Sequence, residues 1–364
     1  MNGTTRGPLR AVVLSIGIFA LGNLLVHLFD GGLGGGMAAA APGVKTGPVK
    51  IGFLVDSLQG ERWQRDADAL KKRGKELGAT VVVEDAKGDD ERQLQQARSL
   101  IASGAKAIVL VAHDTDKASR IVAAAKARHV AVVCYERLVP NSDVDFYAGP
   151  NTVHIGEMQA AAMAKLAPKG NYILVEGSPV DSNANLLHVG HLRGLMPFVN
   201  NGDIHVVGTV WAKDWSPVAA YADTLAEVEK AKGNVAAIVA SNDGTAGGSI
   251  QALTDLKLAG KVPVSGQDAD LAAIVRILNG TQSMTIYRPL RSLAGKAAEV
   301  AVQLARGETV QAEDAIPNGR KNVPAYLVGV VVVTKNNVMS TVIKDGFQNL
   351  DTIEKSVPRE KWPQ

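Results

Sequence analysis

The chain of 364 residues is short of three things. It has one cysteine, Cys134. A lone cysteine inside an apolar run has no disulfide partner, and no cysteine follows the N-terminal apolar segment to take a lipid. Aromatic residues make up only 4% of the chain, so each of the four tryptophans is informative. Charge is nearly balanced: 39 Lys and Arg stand against 36 Asp and Glu, a formal +3. Without a basic block, the sequence argues against a nucleic-acid partner.

Catalytic signatures are missing too. There is no nucleophile elbow, H-E-x-x-H, P-loop or clustered His/Cys spacing, so the sequence calls for no catalytic residues, no metal and no cofactor.

What is present begins with Arg6 and Arg10, an apolar run from Ala11 to Phe29, and the small residues Met37 to Ala41. This is the pattern of an export signal cleaved near Ala41, leading to the periplasm. The competing reading is an uncleaved anchor, since the run approaches the roughly 20 residues that span a bilayer. Asn23 and His27 count against it.

From Lys50 onward, short apolar runs alternate with helical stretches. Continuous apolar runs indicate strands covered on both faces, and hence a parallel α/β sheet. The first series places strands at 50–55, 80–84, 107–111 and 130–135, with helices at 62–77, 90–103 and 116–128. A second series places helices at 151–166, 184–199, 216–232 and 245–258, with strands at 171–175, 204–210, 235–240 and 262–266. Two doubly wound parallel-sheet lobes joined by a three-segment hinge are expected. Residues 1–47 are the signal and linker, 48–149 plus 289–325 the N-terminal lobe, 150–288 plus 326–350 the C-terminal lobe, and 351–364 a tail. Chain crossings are expected at Ala148–Asn151, Tyr287–Pro289 and Val323–Val328.

Ligands of open parallel sheets bind beyond the carboxyl ends of the strands. Those positions hold Asp56, Glu61, Arg62, Trp63, Glu136, Arg137, Asp181, Ser182, Asn183, Trp215, Ser241, Asn242, Asp243, Gln267, Asp268 and Arg288. Carboxylates accept from neighbouring hydroxyls, guanidinium and amide groups donate to the same oxygens, and indoles cover C–H faces, so the set suits a neutral sugar. Simpler roles compete. Asp181 and Asn183, and likewise Asn242, can cap helices, Glu136 and Arg137 can form a surface ion pair, and Trp63 can be core. Between Trp211 and Trp215, the intervening Lys213 and Asp214 indicate a loop, with Trp215 facing the cleft and Trp211 packing.

The motifs Glu61-Arg62-Trp63-Gln64, Tyr135-Glu136-Arg137, Ser178-Pro179-Val180-Asp181, the run Ala240 to Gly248, and the run Ser265 to Asp270 together resemble the D-xylose-binding proteins of bacterial ABC transporters. The resemblance covers Lys50 to Phe347. It implies the periplasmic binding protein type I fold, a pentose such as D-xylose as ligand, a permease in the inner membrane as partner, and a monomer. It also implies that Arg62, Trp63, Glu136, Arg137, Asp181, Asn183, Trp215, Asn242, Asp268 and Arg288 line the pentose cleft. Three positions depart from the family's usual residues: Glu136 stands for Asp, Arg288 for Lys and Ser182 for Asn. Charge sign is kept but reach changes. Arabinose, ribose and glucose therefore stay open as ligands, as does a role in presenting sugar to a membrane receptor.

Two rivals are weaker. A glycosidase needs a carboxyl kept protonated, whereas Arg62, Arg137 and Arg288 are expected to keep the cleft carboxylates ionised. A sugar-responsive repressor needs a basic helix-turn-helix where this chain has its apolar segment.

Overall fold

A computed structural model describes residues 48–362 except Gly60. The expected export signal, with Arg6, Arg10 and Ala38–Ala41, lies outside the described residues. Among the described residues no helix is long and apolar enough to cross a membrane.

The first half of the fold is the succession β1 Val49–Val55, α1 Glu61–Glu76, β2 Ala79–Asp85, α2 Asp90–Ala102, β3 Ala107–Leu110, α3 Ser119–Lys126, β4 Ala131–Tyr135 and β5 Phe146–Gly149. Next come α4 Thr152–Leu166, β6 Gly170–Glu176, α5 Ser182–Asn200, β7 Ile204–Trp211, α6 Pro217–Lys230, β8 Ala237–Ala240, α7 Asp243–Asp255, α8 Leu271–Asn279 and β9 Thr285–Tyr287. The chain ends with α9 Leu290–Arg306, β10 Asp314–Pro317, β11 Asn322–Leu327, β12 Val331–Val333 and α10 Leu350–Ser356.

One sheet has seven strands in the order β10-β11-β5-β4-β3-β1-β2, parallel except for the β10–β11 pair. Its inner strands β1, β3, β4 and β5 are buried on both faces, which is why they read as unbroken apolar runs, whereas the edge strand β10 is largely exposed. On one face, Phe53, Val109 and Val133 pack with Leu70 of α1 and with Leu293, Ala297 and Ala301 of α9. Alanine on the inner side of α9 leaves room for the sheet to approach. The other face packs Ile108, Leu110 and Val132 with Leu94 of α2 and Ile121 of α3. The second sheet, β7-β6-β8, is parallel and lies between α4–α5 and α6–α7, with Leu174 facing one pair and Ile173 the other.

Three expectations change. Val262–Gly266 is not a ladder strand; it holds two isolated bridges, Ile238 to Val264 and Ala259 to Val262, and Gln267 to Ile286 leads on to β9. Pro263 lacks an N–H, and Ser265 Oγ takes the place of backbone pairing by accepting from Ala240 N (2.8 Å) and donating to Ala240 O (2.9 Å). The third crossing lies after β11, because Val323–Leu327 belongs to the seven-stranded sheet and β12 pairs with β9. Finally, the residues assigned to a tail are packed: Ile353, Val357 and Trp362 are buried with Ile274 of α8 and Tyr287.

Candidate functional site

The loops at the carboxyl ends of both sheets face a cavity of about 600 Å³, a size that suits a small ligand. Nine of the ten predicted residues line it: Arg62, Trp63, Glu136, Arg137, Asp181, Asn183, Trp215, Asn242 and Asp268. Arg288, only 1% exposed, stands behind the wall and bonds to two lining carboxylates.

Local structure fixes each side chain. Arg62 and Trp63 occupy the first turn of α1, with the Arg62 guanidinium 4.2 Å above the Trp63 ring. Trp63 is partly buried against the α1–α9 core, so its packing role and its cleft role coexist. Glu136 follows β4 with φ +65°, a strained conformation for a residue other than glycine, of the kind that clusters at functional sites. It does not pair with its neighbour Arg137; the two serve separate networks.

The first network is a closed ring. Arg62 Nη2 lies 2.7 Å from Glu136 Oε1, Arg288 Nε 3.1 Å from the same oxygen, Arg288 Nη2 2.8 Å from Asp268 Oδ1, and Arg62 Nη1 3.4 Å from Asp268 Oδ1. Arg62 also reaches Asp66, one turn along α1, at 3.5 Å. The second network centres on Arg137. Its Nη1 donates to Asp56 Oδ2 (2.8 Å) and Ala112 O (2.6 Å), while Nε meets Asp181 Oδ2 at 2.8 Å. Asp181 is indeed the N-cap of α5, accepting from Asn183 N, yet its other oxygen also holds Trp215 Nε1 at 3.0 Å. Asn242 likewise caps α7 in a capping box while lining the cavity.

Trp215 sits in a 3₁₀ turn after β7, where Asp214 and Trp215 both have positive φ. A Cβ at Gly177 would lie 2.3 Å from the indole, so only glycine leaves room for the ring there. Trp211, as expected, packs elsewhere, 5.3 Å from the His188 ring.

The electrostatic expectation needs correction. Burial pushes Glu136 up to about 8, against the pull of Arg62. Burial also lifts Asp66 to about 6 and raises Asp181, in each case opposed by an arginine. Asp56 behaves as anticipated: burial disfavours its charge, but the His113 hydrogen bond and Arg137 hold it below the usual carboxylate range. Desolvation of the buried Glu136 carboxyl outweighs the nearby cations, which the sequence could not register.

Sequence reasoning left out Gln59, Thr152, Asp214 and Asp270, all of which line the cavity. Asp66 was also passed over, although its i, i+4 spacing from Arg62 was a usable signal.

A family profile described as "Periplasmic binding protein domain" matches residues 51–309. The chain is 44% identical to the D-xylose-binding periplasmic protein of Haemophilus influenzae over 305 residues, 84% of this chain and 92% of that protein. It is also 44% identical to the protein of the same description from Escherichia coli over 299 residues, 82% of this chain and 91% of that one. Among solved structures, a carbohydrate transporter solute-binding protein from Chloroflexus aurantiacus in complex with D-glucose superposes with a TM-score of 0.77 at 26% identity, covering 84% of this chain and 98% of that one. A cleft between two parallel sheets and these likenesses lead to one conclusion: the chain belongs to the periplasmic binding protein family.

Proposed function

We propose that the cavity holds one monosaccharide, D-xylose, and that the protein delivers it to the permease of an ABC transporter from the periplasm. The observation that carries this is Glu136 Oε2, which is buried on the cavity wall without a hydrogen-bond partner among the described residues. Buried polar atoms are normally satisfied, and a sugar hydroxyl, which both donates and accepts, suits a carboxyl in either protonation state. Around it Asp268, Asn183 and Asn242 supply further polar groups, and Trp63 and Trp215 supply apolar faces. The 44% identity to two D-xylose-binding periplasmic proteins supports the choice of pentose.

The lobes swing about the crossings at 148–151, 287–289 and 328–330. Sugar bound by both lobes shifts the population toward the closed form that the permease recognises. The ten predicted residues are the binding set, with Arg288 acting from behind Glu136 and Asp268. The protein works as a monomer, exported by the segment with Arg6, Arg10 and the apolar run to Phe29, and cleaved near Ala41. Calorimetry of the mature chain against D-xylose, L-arabinose, D-ribose and D-glucose tests the ligand. Tight binding of D-xylose is expected; binding of a hexose alone overturns it. Mass spectrometry of a periplasmic extract should find a species about forty residues short, whereas a full-length membrane-bound product would show an anchor.

A further inference from the structure

We infer that Asp243, which does not line the cavity, is the positioning residue that sets Asp268 for the ligand. The inference rests on the sugar-binding reading above and adds a residue to it. Asp243 opens α7 and is 1% exposed. Its carboxylate takes donors from both sides of the loop that carries Asp268. Oδ2 accepts from Asp270 N (3.0 Å) and from Thr285 Oγ1 (3.0 Å), and Thr285 Oγ1 in turn accepts from Ala269 N (3.1 Å). Oδ1 accepts from Gln282 Nε2 at 2.7 Å. On the backbone, Asp243 N donates to Gln267 O at 2.9 Å, and Asp243 O accepts from Arg276 Nη2 at 2.8 Å.

The loop needs such a clamp. Asp268 and Ala269 have φ of +101° and +55°, two successive non-glycine residues in a region that side chains avoid. Such strain persists only where surrounding bonds over-determine it. Here the bonds on Ala269 N and Asp270 N both run to Asp243, one of them through Thr285. Room for the carboxylate comes from Gly266, where a Cβ would lie 2.2 Å from Asp243 Oδ1. The strained turn aims Asp268 at Arg62 on the cavity wall and at Arg288 behind it. Asp243 therefore acts on the ligand through Asp268.

The test uses Asp243→Asn, which keeps volume but turns an N–H toward one set of donors, and Thr285→Val, which cuts the relay and leaves the acid. Each is made in the wild-type and Asp268→Asn backgrounds of the mature protein. Without sugar, hydrogen exchange at the Ala269 and Asp270 amides should quicken at least about tenfold in both variants. With D-xylose, affinity should fall roughly tenfold in the wild-type background and not measurably further in Asp268→Asn, because the two residues act as one unit. The fall in Tm should be equal in both backgrounds. An equal affinity loss in both backgrounds, or folded variants with unchanged exchange, would overturn the assignment. If Asp243→Asn does not fold, Thr285→Val decides by the same readings. Should wild type bind no sugar, the sugar reading fails, and the exchange result alone decides whether Asp243 clamps the loop.

Discussion

Arg137 and Asp181 meet across the cleft, Nε 2.8 Å from Oδ2, the first following β4 of the seven-stranded sheet and the second following β6 of the three-stranded one. Both are buried. Taking away the guanidinium leaves Asp181 without its cation and Asp56 with His113 alone, so Arg137→Gln should weaken sugar binding roughly hundredfold and lower stability by about 3 kcal/mol. Titration calorimetry and thermal melts measure the two separately. An unchanged Kd with a lower Tm would reduce the pair to scaffolding.

Both indoles should matter to binding and to packing. Trp215 hangs from Asp181 over Gly177 and packs against the core of the three-stranded sheet, and Trp63 packs against the α1–α9 core. Trp215→Ala and Trp63→Ala should each cost about 2 kcal/mol of binding, roughly thirtyfold, and each should also lower Tm. Gly177→Ala, which displaces the ring, should mimic Trp215→Ala; normal affinity in that variant would show that the indole position does not matter.

Glu136 predicts a pH dependence. Its folded pKa of about 8 exceeds the ordinary 4.5, so the fold binds this proton more tightly than the unfolded chain does. The favourable contribution is complete below the ordinary value and disappears as pH rises through about 8. His113 and His188, both raised by hydrogen bonds to carboxylates, slope in the same direction, so wild type alone cannot isolate Glu136. The Tm of wild type should therefore fall more steeply than that of Glu136→Gln as pH is raised from neutrality to alkaline values. Parallel curves would mean that Glu136 is already ionised in the fold.

Much of the fold was legible because fully buried strands leave apolar runs and strand ends leave polar punctuation. Val49–Val55 followed by Asp56 is the plainest case. What escaped depends on side chains acting as backbone. Ser265 replaces ladder bonds, and Asp114 Oδ1 accepts from the amides of Asp116 and Lys117, so the helix expected from Asp116 starts only at Ser119. In the site, charge pattern gave residue type but not depth. Arg288 reads like its neighbours in sequence, yet it stands behind the wall. Lys213 and Asp214 marked a loop, but nothing in the sequence marked the positive φ of Asp214 and Trp215.

The last prediction concerns closure. Arg62, Trp63, Glu136 and Arg137 come from α1 and the turn after β4, on the side of the seven-stranded sheet; Asp181, Asn183, Trp215, Asn242 and Asp268 come from the segment running from β6 to α8. A sugar held by both groups binds fully only where the two sheets approach, so ligand must favour the compact arrangement. Since ligand binds the native state alone, Tm must also rise, by an amount set by about RT ln(1 + [L]/Kd). Asp268→Ala opens the ring at the corner where Arg62 and Arg288 converge, removing the carboxylate that joins Arg62 of the first group to the second. It should weaken both the compaction and the rise in Tm. Small-angle scattering and thermal melts with and without D-xylose, for wild type and Asp268→Ala, measure both effects. An unchanged radius of gyration at saturating sugar, with binding demonstrated, would refute closure. A response to a hexose and to no pentose would leave closure standing and overturn the ligand.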